Sequence, residues 1–221
     1  MTHLLIAVEN ISYFLHPQLL IQDLNFTVKR GECMAFIGTN GTGKTTTLSL
    51  LAGLLRPLKG QVLIHGLNIH TKPLGAKQHL GFLSDALPLY HELSVKEYLN
   101  FICKLRQVQE APTAIETVIE TLDLKPFLHS LIGILSKGLK QRVAIAQAII
   151  HQPCVLLLDE PTQGLDSAQI ESLQIFLSEY KKNAAIILSS HYAQEVEGLC
   201  DSTLQFSSEG IKHHDIQHCP A

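Results

Sequence analysis

The chain has 221 residues, 46% of them hydrophobic, with a formal charge of −3. That length suits one domain, or one domain with an inserted lobe, and the apolar content is ample for a core, which excludes disorder. No apolar run approaches the roughly 18–20 residues that cross a bilayer, the start MTHLLIAVEN is no secretory signal, and the charge gives no basic footprint for nucleic acid.

In chain order, LLIAV (4–8) and LNFTV (24–29 with Lys29) read as strands, followed by a turn at Lys29–Glu32. CMAFI (33–37) reads as a buried strand and TTTLSLLAGLL (45–55) as a helix, with QVLIH (61–65) a further strand after the turn at Pro57–Gly60. Short strands on both sides of the 33–55 unit suggest an antiparallel sheet packed beside that unit. From Ser94 the pattern turns helical. Ser94-x-x-Glu97 is a capping box for a helix to about Arg106, and Thr113-x-x-Glu116 predicts another to about Leu122. Leu139, Val143, Ala146 and Ile150 recur at helical spacing from Lys137 to about His151. VLLL (155–158) is a strand, Asp166 caps a helix to about Tyr180, AAIILS (184–189) is a strand ending near His191, and the tail STLQFSSEGIKHH predicts a hairpin. The helices from 94 to 122 form a lobe inserted between two halves of an α/β core.

Two segments carry chemistry. Gly38–Thr46 (GTNGTGKTT) matches G-x-x-x-x-G-K-[ST], a loop whose backbone N–H groups turn inward onto a triphosphate. Its lysine reaches the β- and γ-phosphates, and its Thr45 hydroxyl can ligate Mg²⁺. The strand before it and the helix after it supply the context the motif needs, with anions placed on a helix N-terminus. The apolar run Val155–Leu158 ends in Asp159 and Glu160, one carboxylate for a metal and one for an attacking water. Together they indicate nucleotide hydrolysis.

The five cysteines, Cys33, Cys103, Cys154, Cys200 and Cys219, show no CxxC pair, and their odd number suits a reducing cytosol. The twelve histidines, His213 and His214 among them, show no metal-ligand spacing.

With these motifs in hand, the chain closely resembles the ATP-binding subunits of ABC transporters over nearly its whole length. Leu135-Ser136-Lys137-Gly138-Leu139-Lys140-Gln141-Arg142 is a variant of the family signature LSGGQ, Gln163-Gly164-Leu165-Asp166 is like the D-loop, and Ser189-Ser190-His191 is like the switch histidine. The LSKG form followed by KQR resembles exporter-type, ABC-2 class ATPases. The resemblance implies a P-loop NTPase of ABC-ATPase architecture: a mainly parallel core, an antiparallel β subdomain, and a helical subdomain inserted at about 86–140 of a single 1–221 domain.

It also implies roles. ATP would lie on Gly38, Thr39, Asn40, Gly41, Thr42, Gly43, Lys44, Thr45 and Thr46, with Mg²⁺ on Thr45 and Asp159. Glu160 would polarise the attacking water and His191 would hold the γ-phosphate geometry. Ser136, Gly138 and Asp166 would serve the nucleotide of a second copy in a head-to-tail dimer. Integral-membrane transporter subunits would be the other partner, which places the chain in the cytoplasm, peripheral on the inner face of the membrane. No nucleic-acid partner is expected.

Three positions depart from the family pattern. Lys137 stands where glycine is usual, where it could add charge near the γ-phosphate but is expected to point into solvent, and Leu139 replaces a glutamine. The Q-loop glutamine aligns with Asp85, an acid of shorter reach that can still meet Mg²⁺ or the water. The adenine-stacking aromatic aligns with Leu15, and Tyr13 and Phe14 just precede it, so a neighbouring ring such as Tyr13, or apolar contact, would hold the base. The alternative function is a soluble ABC ATPase acting in DNA repair or translation, which would carry a long coiled-coil insertion or tandem domains. A regulator without turnover would lack Glu160 or His191.

Overall fold

The structure, a computed structural model, describes residues 4–15, 18–86, 89–207 and 210–215. The chain opens with β1 (Leu4–Leu15) and β2 (Gln18–Lys29), both longer than the apolar segments predict. They lengthen because polar residues are bulged rather than turned: the pairing register shifts between Val8 and Ile11, where Asn10 takes φ 50°. Along β2, Leu24, Phe26 and Val28 are buried and alternate with exposed residues, the period of a half-buried strand.

Next come β3 (Cys33–Ile37), α1 (Lys44–Leu51), β4 (Lys59–Ile64), β5 (Leu67–Asn68), α2 (Pro73–Gln78) and β6 (Leu80–Leu83). A helical stretch follows, α3 (Val95–Arg106), α4 (Ala111–Thr121) and α5 (Lys137–Ile149), and then β7 (Val155–Leu158), α6 (Ser167–Tyr180), β8 (Ala185–Ser190), β9 (Ser202–Ser207) and β10 (Gly210–Asp215). Among the described residues the strands form an antiparallel sheet, β2-β1-β4-β5, and a second sheet ordered β10-β9-β3-β8-β7-β6. The second is parallel from β9 to β6 and antiparallel only at β10. This is the α/β fold expected, a mainly parallel core beside an antiparallel β subdomain.

Alternation along the central strands divides the interior. Leu156, Leu158, Ile186 and Leu188 face α3, α4, α5 and α6, while Val155, Leu157, Ala185 and Ile187 face α1 and the antiparallel sheet. Strands buried on both faces read as continuous apolar runs, which is why VLLL and AIIL were legible.

The helix starts differ in how they match expectation. Ser94 caps α3 with a full capping box: its Oγ accepts the Glu97 N–H, and the Glu97 carboxylate accepts the Ser94 N–H at 2.9 Å. The box predicted at Thr113 does not form. Helix α4 begins two residues earlier, with Pro112 in its first turn, where a missing N–H costs nothing, and Thr113 lies inside the helix. The tail forms the predicted hairpin, β9 with β10, but β9 also joins the core by pairing parallel to β3, Met34 opposite Ser202. Cysteines 33, 103, 154 and 200 carry free thiols, and Cys219 lies outside the described residues.

Candidate active site

The strand order β3-β8-β7-β6 lines up four carboxyl ends along one edge of the parallel sheet. Gly38 follows β3, His191 follows β8, Asp159 and Glu160 follow β7, and Asp85 follows β6 by one residue. Ligands of open α/β sheets bind at this edge.

The loop from Gly38 to Gly43 turns through left-handed conformations at Gly41 (φ 80°) and Gly43 (φ 105°), the latter at the cap of α1. A Cβ at Gly38 would stand 2.4 Å from the Phe206 carbonyl oxygen, so only glycine lets the loop pass β9. Lys44 is 5% exposed and folds across the loop, Nζ donating to the carbonyls of Gly38 at 2.6 Å and Thr39 at 3.2 Å. Thr42 Oγ1 donates to the Thr39 carbonyl at 2.8 Å, bracing the turn. Asn40 and Gly41 lie exposed at its tip, and Thr46 lies partly buried in the first turn of α1.

Asp159 is 1% exposed. Its Oδ1 accepts from Ser189 Oγ at 2.7 Å and Thr45 Oγ1 at 3.3 Å, while its buried Oδ2 has no hydrogen-bond partner. Glu160 takes φ 49°, a left-handed conformation that is costly for a non-glycine residue, held by its N–H donating to Ser189 Oγ at 2.8 Å. Its Oε1 lies 3.2 Å from His191 Nε2 and 3.7 Å from Lys44 Nζ. His191 Nδ1 stands between the Gly38 carbonyl at 3.1 Å and Lys44 Nζ at 3.4 Å, which places the ring across the loop. Burial raises the Glu160 carboxyl above its ordinary range; His191 and Lys44 oppose that, and Asp159 and Asp85 add to it. Burial raises Asp159 too, against the lowering hydrogen bonds from Ser189 and Thr45. Asp85 is exposed and acts on both carboxyls through its charge.

The structure therefore brings Lys44, Thr45, Asp159, Glu160 and His191 together. The signature residues contact another part of their own chain. Ser136 caps α5 by accepting the Leu139 N–H at 3.3 Å, and a Cβ on Gly138 would meet the Gln169 side chain at 2.7 Å. Lys137 is exposed, as expected; its stem runs past Gly164 and its Nζ donates to Gln163 Oε1 at 2.9 Å. A long flexible stem lying beside a glycine makes that contact. Asp166 caps α6, accepting the Gln169 N–H at 2.9 Å. Tyr13 is partly buried against the core of the antiparallel sheet, whereas Phe14 is 45% exposed.

Sequence reading assigned no role to Ser189, although it ties the metal-type carboxylate to the Glu160 backbone. Gln141 was also missed: Nε2 donates to the Pro161 carbonyl at 2.9 Å and pins the turn after Glu160 to α5. The run Ser189-Ser190-His191 marked the segment; which strand its hydroxyls face depends on the sheet order.

A phosphate loop, an acid pair and a histidine on adjacent parallel strands, with an antiparallel sheet and a helical stretch beside them, define an ATP-binding subunit of the ABC type, an ATPase. The comparisons agree. Residues 21–163 match the family described as ABC transporter, and the chain belongs to that family. It is 35% identical over 192 residues to the ABC transporter ATP-binding protein NatA of Bacillus subtilis, covering 85% of this chain and 78% of that one. It is 34% identical to the bacitracin transport ATP-binding protein BcrA of Bacillus licheniformis, covering 89% of this chain and 65% of that protein, just under two thirds of its length. A solved ATP-binding subunit of an ABC transporter superposes with a TM-score of 0.88 at 30% identity, covering 96% of this chain and 90% of that one. CbiO1 of Clostridium perfringens, described as part of the ABC transporter complex cbiONQ, superposes at 0.83 with 25% identity over 96% of this chain and 89% of that one.

Proposed function

We propose that this chain hydrolyses ATP to drive integral-membrane subunits of an exporter. The observation that carries the hydrolytic reading is the Glu160 carboxylate, held between His191 Nε2 at 3.2 Å and Lys44 Nζ at 3.7 Å beside the phosphate loop. Phosphoryl transfer to water needs positioning and charge stabilisation more than covalent chemistry. Lys44 and the amides of residues 40–46 would hold the β- and γ-phosphates. Glu160, with its raised pKa, would accept the proton of the attacking water, and His191 would hold it against the loop. Thr45 Oγ1 and the unpartnered Asp159 Oδ2 suit a Mg²⁺ ion, which would neutralise phosphate charge. Asp85, exposed after β6, would offer a carboxylate oxygen where the family has a glutamine.

Ser136 and Gly138, with Asp166 behind them, would face the nucleotide of a second copy. The helical subdomain, inserted at about 86–140, would grip the membrane partner. Among the described residues no helix is long and apolar enough to cross a membrane, so attachment on the cytoplasmic face would run through that partner. Export is favoured by the relatives, one named for bacitracin transport and another, YbhF of Escherichia coli, as a probable multidrug transporter's ATP-binding protein. The DNA-repair or translation alternative has no support among the relatives named, and the longest described helix, α6, has 14 residues.

Two variants test the hydrolytic reading. Glu160→Gln is expected to bind ATP while turnover falls by about 10²-fold or more, and Lys44→Ala to lose turnover with weakened ATP affinity. Steady-state hydrolysis at the wild-type rate in either would reject it.

A further inference from the structure

Strand β8 ends in Ser189 and Ser190, His191 follows it, and the three have different sets of partners. Ser189 faces Asp159 and Glu160, and His191 faces Glu160 and Gly38. Ser190, fully buried, points the opposite way, as alternation along a strand requires. Its Oγ donates to Glu195 Oε2 at 2.6 Å and accepts the Tyr192 N–H at 3.1 Å. The same Glu195 oxygen accepts from Thr162 Oγ1 at 2.7 Å. Thr162 lies two residues beyond Glu160, and Ser190 immediately precedes His191. Glu195 is itself anchored, its carbonyl accepting from Gln174 Nε2 of α6 at 2.8 Å and its N–H donating to the Tyr192 carbonyl at 3.2 Å.

One carboxylate oxygen thus joins the turn leaving Glu160 to the strand end entering His191. Hydroxyl-to-carboxylate bonds of this length are charge-assisted and stronger than neutral ones. The need for such a tie is physical. Glu160 and His191 sit on loops after different strands, Glu160 in a strained backbone conformation, and a displacement of about 1 Å in a catalytic geometry can cost ~10²-fold in rate. We propose that Glu195 is a positioning residue for hydrolysis: by clamping Thr162 to Ser190 it holds Glu160 and His191 in register. This rests on the hydrolytic reading. Glu195 touches neither; it acts through two hydroxyls.

The test is ATPase kinetics of the full-length chain. Glu195→Ala is expected to lower kcat by roughly 10- to 100-fold while KM for ATP stays within about threefold, the signature of a lost transition-state geometry rather than lost binding. Glu195→Gln should keep kcat within about threefold of wild type, because one amide oxygen can accept both hydroxyls. A Thr162→Val, Ser190→Ala chain should reproduce the loss, and adding Glu195→Ala should lower kcat no further, since the three act as one unit. Wild-type kcat in Glu195→Ala, a Glu195→Gln chain as slow as the alanine variant, or multiplicative losses would each overturn the proposal. If Glu195→Ala does not fold, the glutamine and hydroxyl variants decide it: full activity in Thr162→Val, Ser190→Ala overturns it. A wild-type chain without turnover overturns the hydrolytic reading as well; active wild type beside an equally fast Glu195→Ala overturns this proposal alone.

Discussion

Asp159 shows what a metal-type carboxylate costs a chain. It is 1% exposed, one of its oxygens has no hydrogen-bond partner, and burial lifts its pKa despite Ser189 and Thr45. A carboxyl with a raised folded-state pKa binds its proton more tightly folded than unfolded. Its contribution to stability is therefore present below the unfolded value and lost as pH rises through the folded one. Above the folded value that contribution is gone, and the ionised group is a net cost to the nucleotide-free chain. Asp159→Asn keeps an oxygen for Ser189 and Thr45 and removes the charge, so it is expected to raise the melting temperature by about 2 °C or more, the rough scale being 2–4 °C per kcal/mol at this length. Millimolar Mg²⁺ with ATP should then stabilise the wild type and leave the variant nearly unmoved. Thermal scans with and without the pair check both statements; a lower melting temperature for Asp159→Asn contradicts the first. This residue was legible because the chemistry dictates its type and its place at the end of an apolar strand. Ser189, Gln141 and Glu195 were not, because their roles lie in pairings across strands and helices that sequence spacing does not encode. Lys137 is exposed as expected, but its contact with Gly164, 27 positions away, was not legible for a similar reason.

Elements whose signals are local were mostly read well. The capping box at Ser94 and the cap at Asp166 form as the residues dictate, the box at Thr113 does not, and β3, β7 and β8 follow from apolar runs. Where tertiary pairing decides, the reading stopped short: β1 and β2 run on through bulges, and β9 is both a hairpin strand and a member of the core sheet. One such long-range tie gives a pH prediction. His151, just past α5, sets Nε2 3.1 Å from the Leu80 carbonyl of β6, and its Nδ1 is buried without a partner. Burial, with help from Arg106, lowers its pKa to about 4. A histidine with a lowered folded-state pKa binds its proton more readily unfolded, so stability is lost as pH falls from about 6.5 toward 4. Each pH unit across that window is worth up to about 1.4 kcal/mol. His151→Gln retains a donor for Leu80 and does not titrate. Urea melts at pH 7 and pH 5 should show a smaller loss in the variant than in the wild type, and equal losses would remove His151 from the account.

At the scale of the whole molecule, the proposed head-to-tail dimer would put the signature and the phosphate loop in different halves of a site. Lys137 lies against Gln163 and Gly164, Gly138 packs beside Gln169, Ser136 caps its own helix, and the first turn of α5 carries no acidic residue. That leaves a helix start suited to an anion brought by another copy. In a head-to-tail dimer, each nucleotide would lie between one chain's loop and the other's Ser136 and Gly138, so ATP would hold the two together. Glu160→Gln, expected to bind ATP with little turnover, should accumulate that dimer. Adding Ser136→Arg places a bulky cation where the hydroxyl would meet the γ-phosphate, yet leaves the chain's own loop untouched. ATP affinity of the monomer is therefore expected within about threefold of the parent, roughly 0.7 kcal/mol, while ATP-driven dimerisation is lost. Sedimentation velocity of both chains, with and without ATP, separates the outcomes. A Ser136→Arg, Glu160→Gln chain that dimerises on ATP as well as Glu160→Gln alone would show that the signature does not complete its partner's site.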